Sequence, residues 1–192
     1  MRNKLKYNII GFAGKKKSGK DSLAQALITQ HNDVLFSHIA FAEPVKSMAH
    51  ALLVKAGLSS DNATKMLYNQ ELKERCLPEL LGLSARQIMQ TLGTEWARSL
   101  SPDIWVNIGL NKAKEVNEAG RAALITDVRF PNEVAAIRNA GGIVVWVKRD
   151  ATNNNDTHSS ENSLTAEDCD IIIDNNGTLI DATTRLAEFL AA

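Results

Sequence analysis

The stretch Gly14-Lys15-Lys16-Lys17-Ser18-Gly19-Lys20-Asp21 constrains this chain more than any other. It fits the pattern G-x-x-x-x-G-K and lies between an apolar run over residues 7–13 and a helical pattern over residues 19–30. Glycines at both ends let the backbone curl so that successive N–H groups point inward, and the positive end of the following helix adds to the field. A strand, an anion-cradling turn and a helix in that order bind nucleotide phosphate, with Lys20 able to reach the β- and γ-oxygens.

Asp21 stands where a Ser or Thr hydroxyl normally follows the lysine. A carboxylate there can hold Mg²⁺ directly or through water, with Ser22 as a further oxygen, or it can simply complement the helix dipole. Lys15, Lys16 and Lys17 either raise the potential felt by an anion or form a solvated loop edge.

Apolar, β-rich runs recur at 34–41, 122–128, 143–148 and 169–174, separated by helical patterns. Pro44 opens one helix, with Val45, Met48, Ala49 and Leu52 on its apolar face, and Ser84 is placed to cap another that runs to about residue 99. Further helices are expected over about 102–117, 131–140 and 179–190, with short helices and loops over 59–83. Apolar strands separated by helices predict an α/β fold of three layers around a parallel sheet, whose ligands bind beyond the carboxyl ends of the strands. At 192 residues the chain suits one domain, with residues 44–120 as a helical acceptor-binding region and the polar stretch 150–163 as a lid loop.

Composition removes several function classes. The formal net charge is zero, so the chain lacks the basic footprint of a dedicated nucleic-acid binder. No run approaches the ~18 apolar residues of a membrane helix, and the basic start Met1-Arg2-Asn3-Lys4 leads into the glycine loop rather than a secretory signal, so a cytoplasmic protein is expected. The two cysteines, Cys76 and Cys169, are far apart and read as buried thiols rather than a zinc site or disulfide.

Two more groups carry chemistry. In Ala122 to Glu133 (AALITDVRFPNE) the apolar run closes on Asp127, as expected of a second Mg²⁺-directed carboxylate, and Arg129 on the same edge can clamp a phosphate. Alternatively, Asp127 caps the next helix and Arg129 pairs with it or with Glu133. In ARQIMQTLGTEWAR, at roughly 100° per residue, Arg86, Gln90, Thr94 and Arg98 share one ~120° face, opposite Ala85, Ile88, Met89, Leu92 and Trp96. That face suits a phosphate and a base, or an ordinary amphipathic surface.

The Gly-Lys-Asp loop, RQIMQTLGTEWAR, TDVRFPNE and His158-Ser159-Ser160-Glu161 together resemble the bacteriophage-type deoxynucleoside monophosphate kinases, in order and over most of the chain. The resemblance implies an adenylate-kinase-like P-loop fold, ATP and Mg²⁺ as co-substrates, and a deoxynucleoside monophosphate as acceptor. It makes Lys20, Asp21, Asp127, Arg129, Arg86, Gln90 and Arg98 the functional set, with Trp96 a candidate base platform. With the resemblance, His158 and Glu161 would fasten a closed lid or touch the acceptor. By position alone, Arg149 at the base of the lid stretch either meets transferring charge or is simply solvated, and the turn holding Asn175, Gly177 and Thr178 after the last strand could border the adenine. No membrane or nucleic-acid partner is expected, and a homodimer is the one protein assembly considered. Two alternatives are a phosphomevalonate-kinase-like enzyme, which shares the Gly-Lys-Asp and DVR elements, and a GTPase-like switch, for which Asn111-Lys112-Ala113-Lys114 lacks the required aspartate.

Overall fold

The computed structural model describes residues 5–30, 35–150 and 163–191. They pack into two compact units, one of residues up to Phe41 together with those from Val106 onward, the other Ala42–Trp105.

The first unit is built on five parallel strands, β1 (Ile9–Ala13), β2 (Phe36–Ile39), β5 (Ala122–Ile125), β6 (Ile143–Lys148) and β7 (Ile171–Asp174), in the order β2-β5-β1-β6-β7. β1 is central, pairing Ile10 with Leu124 on one side and with Ile143 on the other. Helices α1 (Lys20–Gln30) and α8 (Leu179–Ala191) cover one face: Leu23, Leu27, Leu186 and Leu190 join Ile10, Phe12, Leu124 and Val145 in a single buried cluster. Each such side chain contributes about 1.5–3 kcal/mol when fully buried. The other face meets α7 (Pro131–Asn139), where Ile137 lies so close to Gly11 that an added Cβ would come within 2.7 Å of its Cδ1. Helix, sheet and helix make three layers, and this is the α/β P-loop fold expected from the sequence.

β1 leads by α1 to β2 on the far side of β5, whereas β5 leads across β1 to β6. The chain therefore reverses direction beside β1, and the carboxyl ends of β1 and β5 flank the crevice where such sheets take their ligands. β5 stops at Ile125, two residues before the predicted Asp127, although Thr126 N–H still donates to Ile39 O and Val128 N–H to Phe12 O, so the chain stays beside β2 and β1 past the strand end. α6 (Ile104–Glu118) belongs to this unit apart from its first two residues.

The second unit contains α2 (Glu43–Lys55), α3 (Ser60–Tyr68), a hairpin of β3 (Cys76–Leu77) and β4 (Leu83–Ser84), and a helical run from α4 (Ala85–Gln90) to α5 (Ala97–Leu100). Its core joins Ala49, Leu53, Ala63, Leu67, Leu77, Ala85 and Ile88. Leu53, not the predicted Leu52, completes the buried stripe of α2 with Val45 and Ala49, at i, i+4 and i+8, and Leu52 is exposed. Ser84 does cap α4: its hydroxyl accepts from Gln87 N–H while Gln87 Oε1 accepts from Ser84 N–H, a reciprocal capping box.

The cysteines differ from the buried pair expected. Cys76 is exposed at the hairpin, and Cys169 is partly buried, its thiol pushed up to about 12 by burial and then by the carboxylates of Asp168 and Asp170. At about pH 8 Cys169 stays a thiol, the unreactive form. Alkylation followed by mass spectrometry should therefore modify Cys76 long before Cys169, and equal rates would contradict both placements.

Candidate active site

The phosphate loop takes its shape from positions that a side chain would spoil. Gly14 has φ 140°, and a Cβ there would lie 2.6 Å from Val147 O. Gly19 has φ 97°, and its added Cβ would collide with the Asn175 side-chain amide. Lys17 adopts φ 66°, the left-handed turn that closes the loop, and Ser18 N–H donates to Lys15 O at 3.1 Å. Ser18 is buried, and its Oγ finds no partner among the described residues. The Lys20 ammonium donates to Gly14 O at 2.7 Å and to Lys15 O at 2.9 Å, so it lies across the loop at the start of α1. Lys15 and Lys17 are exposed, as a solvated loop edge would be, and Lys16 is half-buried.

Two carboxylates lie near this loop's helix and the neighbouring strand end. Asp21, in the first turn of α1, is exposed, with Oδ1 accepting from Thr126 Oγ1 at 2.7 Å. His38 Nε2 lies 2.8 Å from the same hydroxyl and 3.9 Å from Asp21 Oδ1. Asp127 Oδ1 accepts from Phe41 N–H at 2.8 Å, tying the end of β5 to the chain just after β2. The α7 cap is supplied by Glu133, buried, whose Oε2 accepts from Arg129 N–H and Phe130 N–H at 2.6 and 3.1 Å. Asp127 does not cap that helix through those amides, and Arg129 is held by its backbone two residues beyond Asp127. Ser22 is exposed one residue after Asp21.

The turn after β7 does more for the loop than its sequence suggests. Asn175 is buried, its side-chain amide donating to Ser18 O at 2.8 Å and its N–H to Lys148 O at 2.8 Å. It thus holds the phosphate loop from below. Gly177 is exposed, Thr178 Oγ1 accepts from Asp181 N–H at 3.2 Å to cap α8, and Arg149 is exposed just after β6. His158 and Glu161, and most of the predicted lid, lie outside the described residues.

The predicted acceptor helix departs from simple periodicity. Between α4 and α5, Thr91–Trp96 is a π-helical segment, whose i→i+5 turns shift the phase by about one residue. The Trp105 indole N–H donates to Gly93 O at 2.7 Å, and a carbonyl diverted in this way is a recognised cause of such a break. Ala97, not Trp96, consequently returns to the buried side, and Trp96 is exposed. Arg86, Gln90, Thr94 and Arg98 therefore do not form the straight stripe expected at 100° per residue. Arg86 is also turned inward, only 13% exposed and 3.5 Å from Glu74 Oε1, whereas Arg98 Nη1 donates to Pro102 O at 3.0 Å. Gln90 and Thr94 are half-buried.

The family model of deoxynucleotide monophosphate kinase matches residues 48–186. The chain belongs to that family. A protein of Acanthamoeba polyphaga mimivirus, provisionally named deoxynucleotide monophosphate kinase, is 30% identical over 182 residues, covering 89% of this chain and 90% of that protein. The deoxynucleotide monophosphate kinases of Enterobacteria phage T4 and Escherichia phage RB69 are each 30% identical over 109 residues, 56% of this chain and 45% of theirs. The chain thus spans about half the length of the phage kinases it matches. Among solved structures, an APS kinase from Mycobacterium tuberculosis overlays with a TM-score of 0.44 at 12% identity over 97% of this chain and 99% of that one, a likeness too loose to add to the topology.

The residues of this deoxynucleotide monophosphate kinase family member fit the groups the family implies. A loop that excludes Cβ atoms at Gly14 and Gly19, with an ammonium across it and a helix N-terminus behind it, is complementary to polyphosphate. Among the described residues no group of three or more His, Cys, Asp or Glu converges into a metal cage. Mg²⁺ needs none: it keeps waters and takes one or two carboxylates plus substrate phosphates, which Asp21 and Asp127 suit. No helix among the described residues is long and apolar enough to cross a membrane.

Proposed function

We propose that this kinase transfers the γ-phosphate of ATP to a deoxynucleoside monophosphate, giving the diphosphate and ADP. The observation that carries the reading is the glycine-walled loop with Lys20 across it, set at the carboxyl end of β1 beside the β5 end that carries Asp127.

In the transfer, an acceptor phosphate oxygen forms the new bond to the γ-phosphorus as the bridging bond to ADP breaks. Lys20 exchanges its carbonyl partners for β- and γ-oxygens and neutralises the charge that shifts between them. Asp21 and Asp127 would hold Mg²⁺, which would offset charge on the phosphates. Arg129 orients the transferring group, with Arg149 meeting charge at the neighbouring strand end. Asn175 keeps the loop backbone in its phosphate-ready shape through Ser18 O. Arg86, Gln90, Thr94, Trp96 and Arg98 are assigned to the acceptor, with the diphosphate forms released in the cytosol.

The reading is tested by coupling ADP release to absorbance while a panel of deoxynucleoside and ribonucleoside monophosphates is offered, with mevalonate phosphate as control. At least one deoxynucleoside monophosphate should stimulate ADP release strongly. Release stimulated only by mevalonate phosphate, or by no acceptor, would contradict it.

The acceptor assignment makes its own prediction. Loss of a phosphate-clamping guanidinium in Arg98→Ala should cost roughly 10- to 150-fold in acceptor KM or kcat, leaving the KM for ATP unchanged. Arg86 needs a control because it also pairs with Glu74. If Arg86 binds acceptor, Arg86→Ala should lose far more activity than Glu74→Gln, which breaks the ion pair but keeps the guanidinium. Equal losses from those two variants would make Arg86 structural, and damage confined to the ATP KM would move the helix to the donor.

A further inference from the structure

The phosphate loop of this chain ends in a carboxylate where a hydroxyl is usual, and the structure supplies a hydroxyl from elsewhere. Thr126, immediately after β5 and 3% exposed, places its Oγ1 2.7 Å from Asp21 Oδ1. An ionised Asp21 only accepts, so the single hydroxyl proton of Thr126 is committed to it. His38 Nε2, 2.8 Å from the same oxygen, must then be the donor on that side, which requires a proton on Nε2. The backbone is held as well, because Thr126 N–H donates to Ile39 O at 3.3 Å. A carboxylate whose side chain is 82% exposed is thus anchored by a hydroxyl in the protein interior.

We propose that Thr126, oriented by His38, is the positioning residue for Asp21: it fixes Oδ1 and leaves Oδ2 to the Mg²⁺ that accompanies ATP. An exposed aspartate on the first turn of a helix samples several rotamers, and a cation that demands near-ideal octahedral geometry binds weakly to a mobile ligand. Anchoring one oxygen removes that freedom before the metal arrives, and outer-shell partners of metal ligands commonly act in this way. The chain therefore divides between two residues the role a single hydroxyl fills in other phosphate loops. The proposal rests on the assignment of Asp21 to the metal.

Calorimetric binding of ATP with Mg²⁺, and of ATP with chelator, separates the possibilities without requiring turnover. Thr126→Val keeps shape and burial but removes the donor. It should reduce the Mg²⁺-dependent gain in ATP affinity about tenfold, while binding of metal-free ATP is unchanged. Thr126→Ser should restore the gain, and in an Asp21→Ala background, where no side-chain oxygen is left to position, Thr126→Val should have no further effect. A wild-type Mg²⁺-dependent gain in Thr126→Val would overturn the proposal, as would equal weakening with and without Mg²⁺ or failure of Thr126→Ser to restore. If Asp21→Ala, which leaves no side-chain oxygen, keeps the Mg²⁺-dependent gain intact, the metal assignment of Asp21 falls and this inference falls with it. If Asp21→Ala loses the gain but Thr126→Val does not, only the positioning role is lost.

Discussion

Lys20→Ala should lower kcat by about a thousandfold or more while leaving the melting temperature nearly unchanged. A thousandfold loss corresponds to about 4 kcal/mol of transition-state stabilisation. That size is expected where a fixed positive charge meets charge developing on phosphate oxygens in a site shielded from water. The fold should tolerate the change because the bonds of the ammonium to Gly14 O and Lys15 O are made to carbonyls of the loop itself. Circular dichroism and thermal melting of the variant separate loss of chemistry from loss of structure. Near-wild-type turnover would remove the loop from the mechanism, and an unfolded variant would show that the lysine holds the loop rather than the nucleotide.

Asp127→Asn is expected to be the next most damaging change, with kcat down about 10²- to 10³-fold. The substitution separates the hydrogen bond that the structure shows from the metal role proposed for the same side chain. Asp127 Oδ1 accepts from Phe41 N–H, and an asparagine carbonyl can still accept that bond, so the tie between the β5 end and the chain after β2 survives. What disappears is the negative charge that would hold Mg²⁺. Asp127→Ala should lose both, adding a fall in stability of about 1–3 kcal/mol as the Phe41 amide is left without its partner. An Asn variant as active as wild type would mean that Asp127 is a structural acceptor only, whereas Asp21→Ser, which keeps a usable oxygen, should be less harmful than Asp127→Asn.

The parts of this site that were legible in sequence are those where chemistry leaves no substitute. Gly14 and Gly19 take positive φ where an added Cβ would meet Val147 O and Asn175, so their identity reports the loop directly, and Lys20 opens the helix that follows it. The cap at Ser84 was legible as a local signal at a helix start, and the structure adds Gln87 as its reciprocal partner.

What escaped depends on distance in sequence or on broken periodicity. Thr126 continues an apolar run and reads as strand, and its partner His38 is 88 residues away, brought near only because β2 pairs with β5 in the register His38 to Leu124. Asn175 was legible as a turn residue, but its grip on Ser18 O spans 157 residues. The Trp105 indole donating to Gly93 O could not be foreseen from a 3.6-residue count, and that one bond accompanies the π segment between α4 and α5. Glu133 did leave a signal, Pro131 at the first helical position with an acidic residue two later, which marks a helix N-terminus capped from within.

The central claim is phosphoryl transfer between nucleotides, and the most direct test follows the phosphorus. The protein, Mg²⁺, a deoxynucleoside monophosphate and ATP labelled at the γ-position are incubated together, and the products are separated. The label should appear in the deoxynucleoside diphosphate, one equivalent for each ADP formed, and should be absent when Lys20→Ala replaces the wild-type protein. Label recovered as inorganic phosphate with no labelled diphosphate would contradict the account.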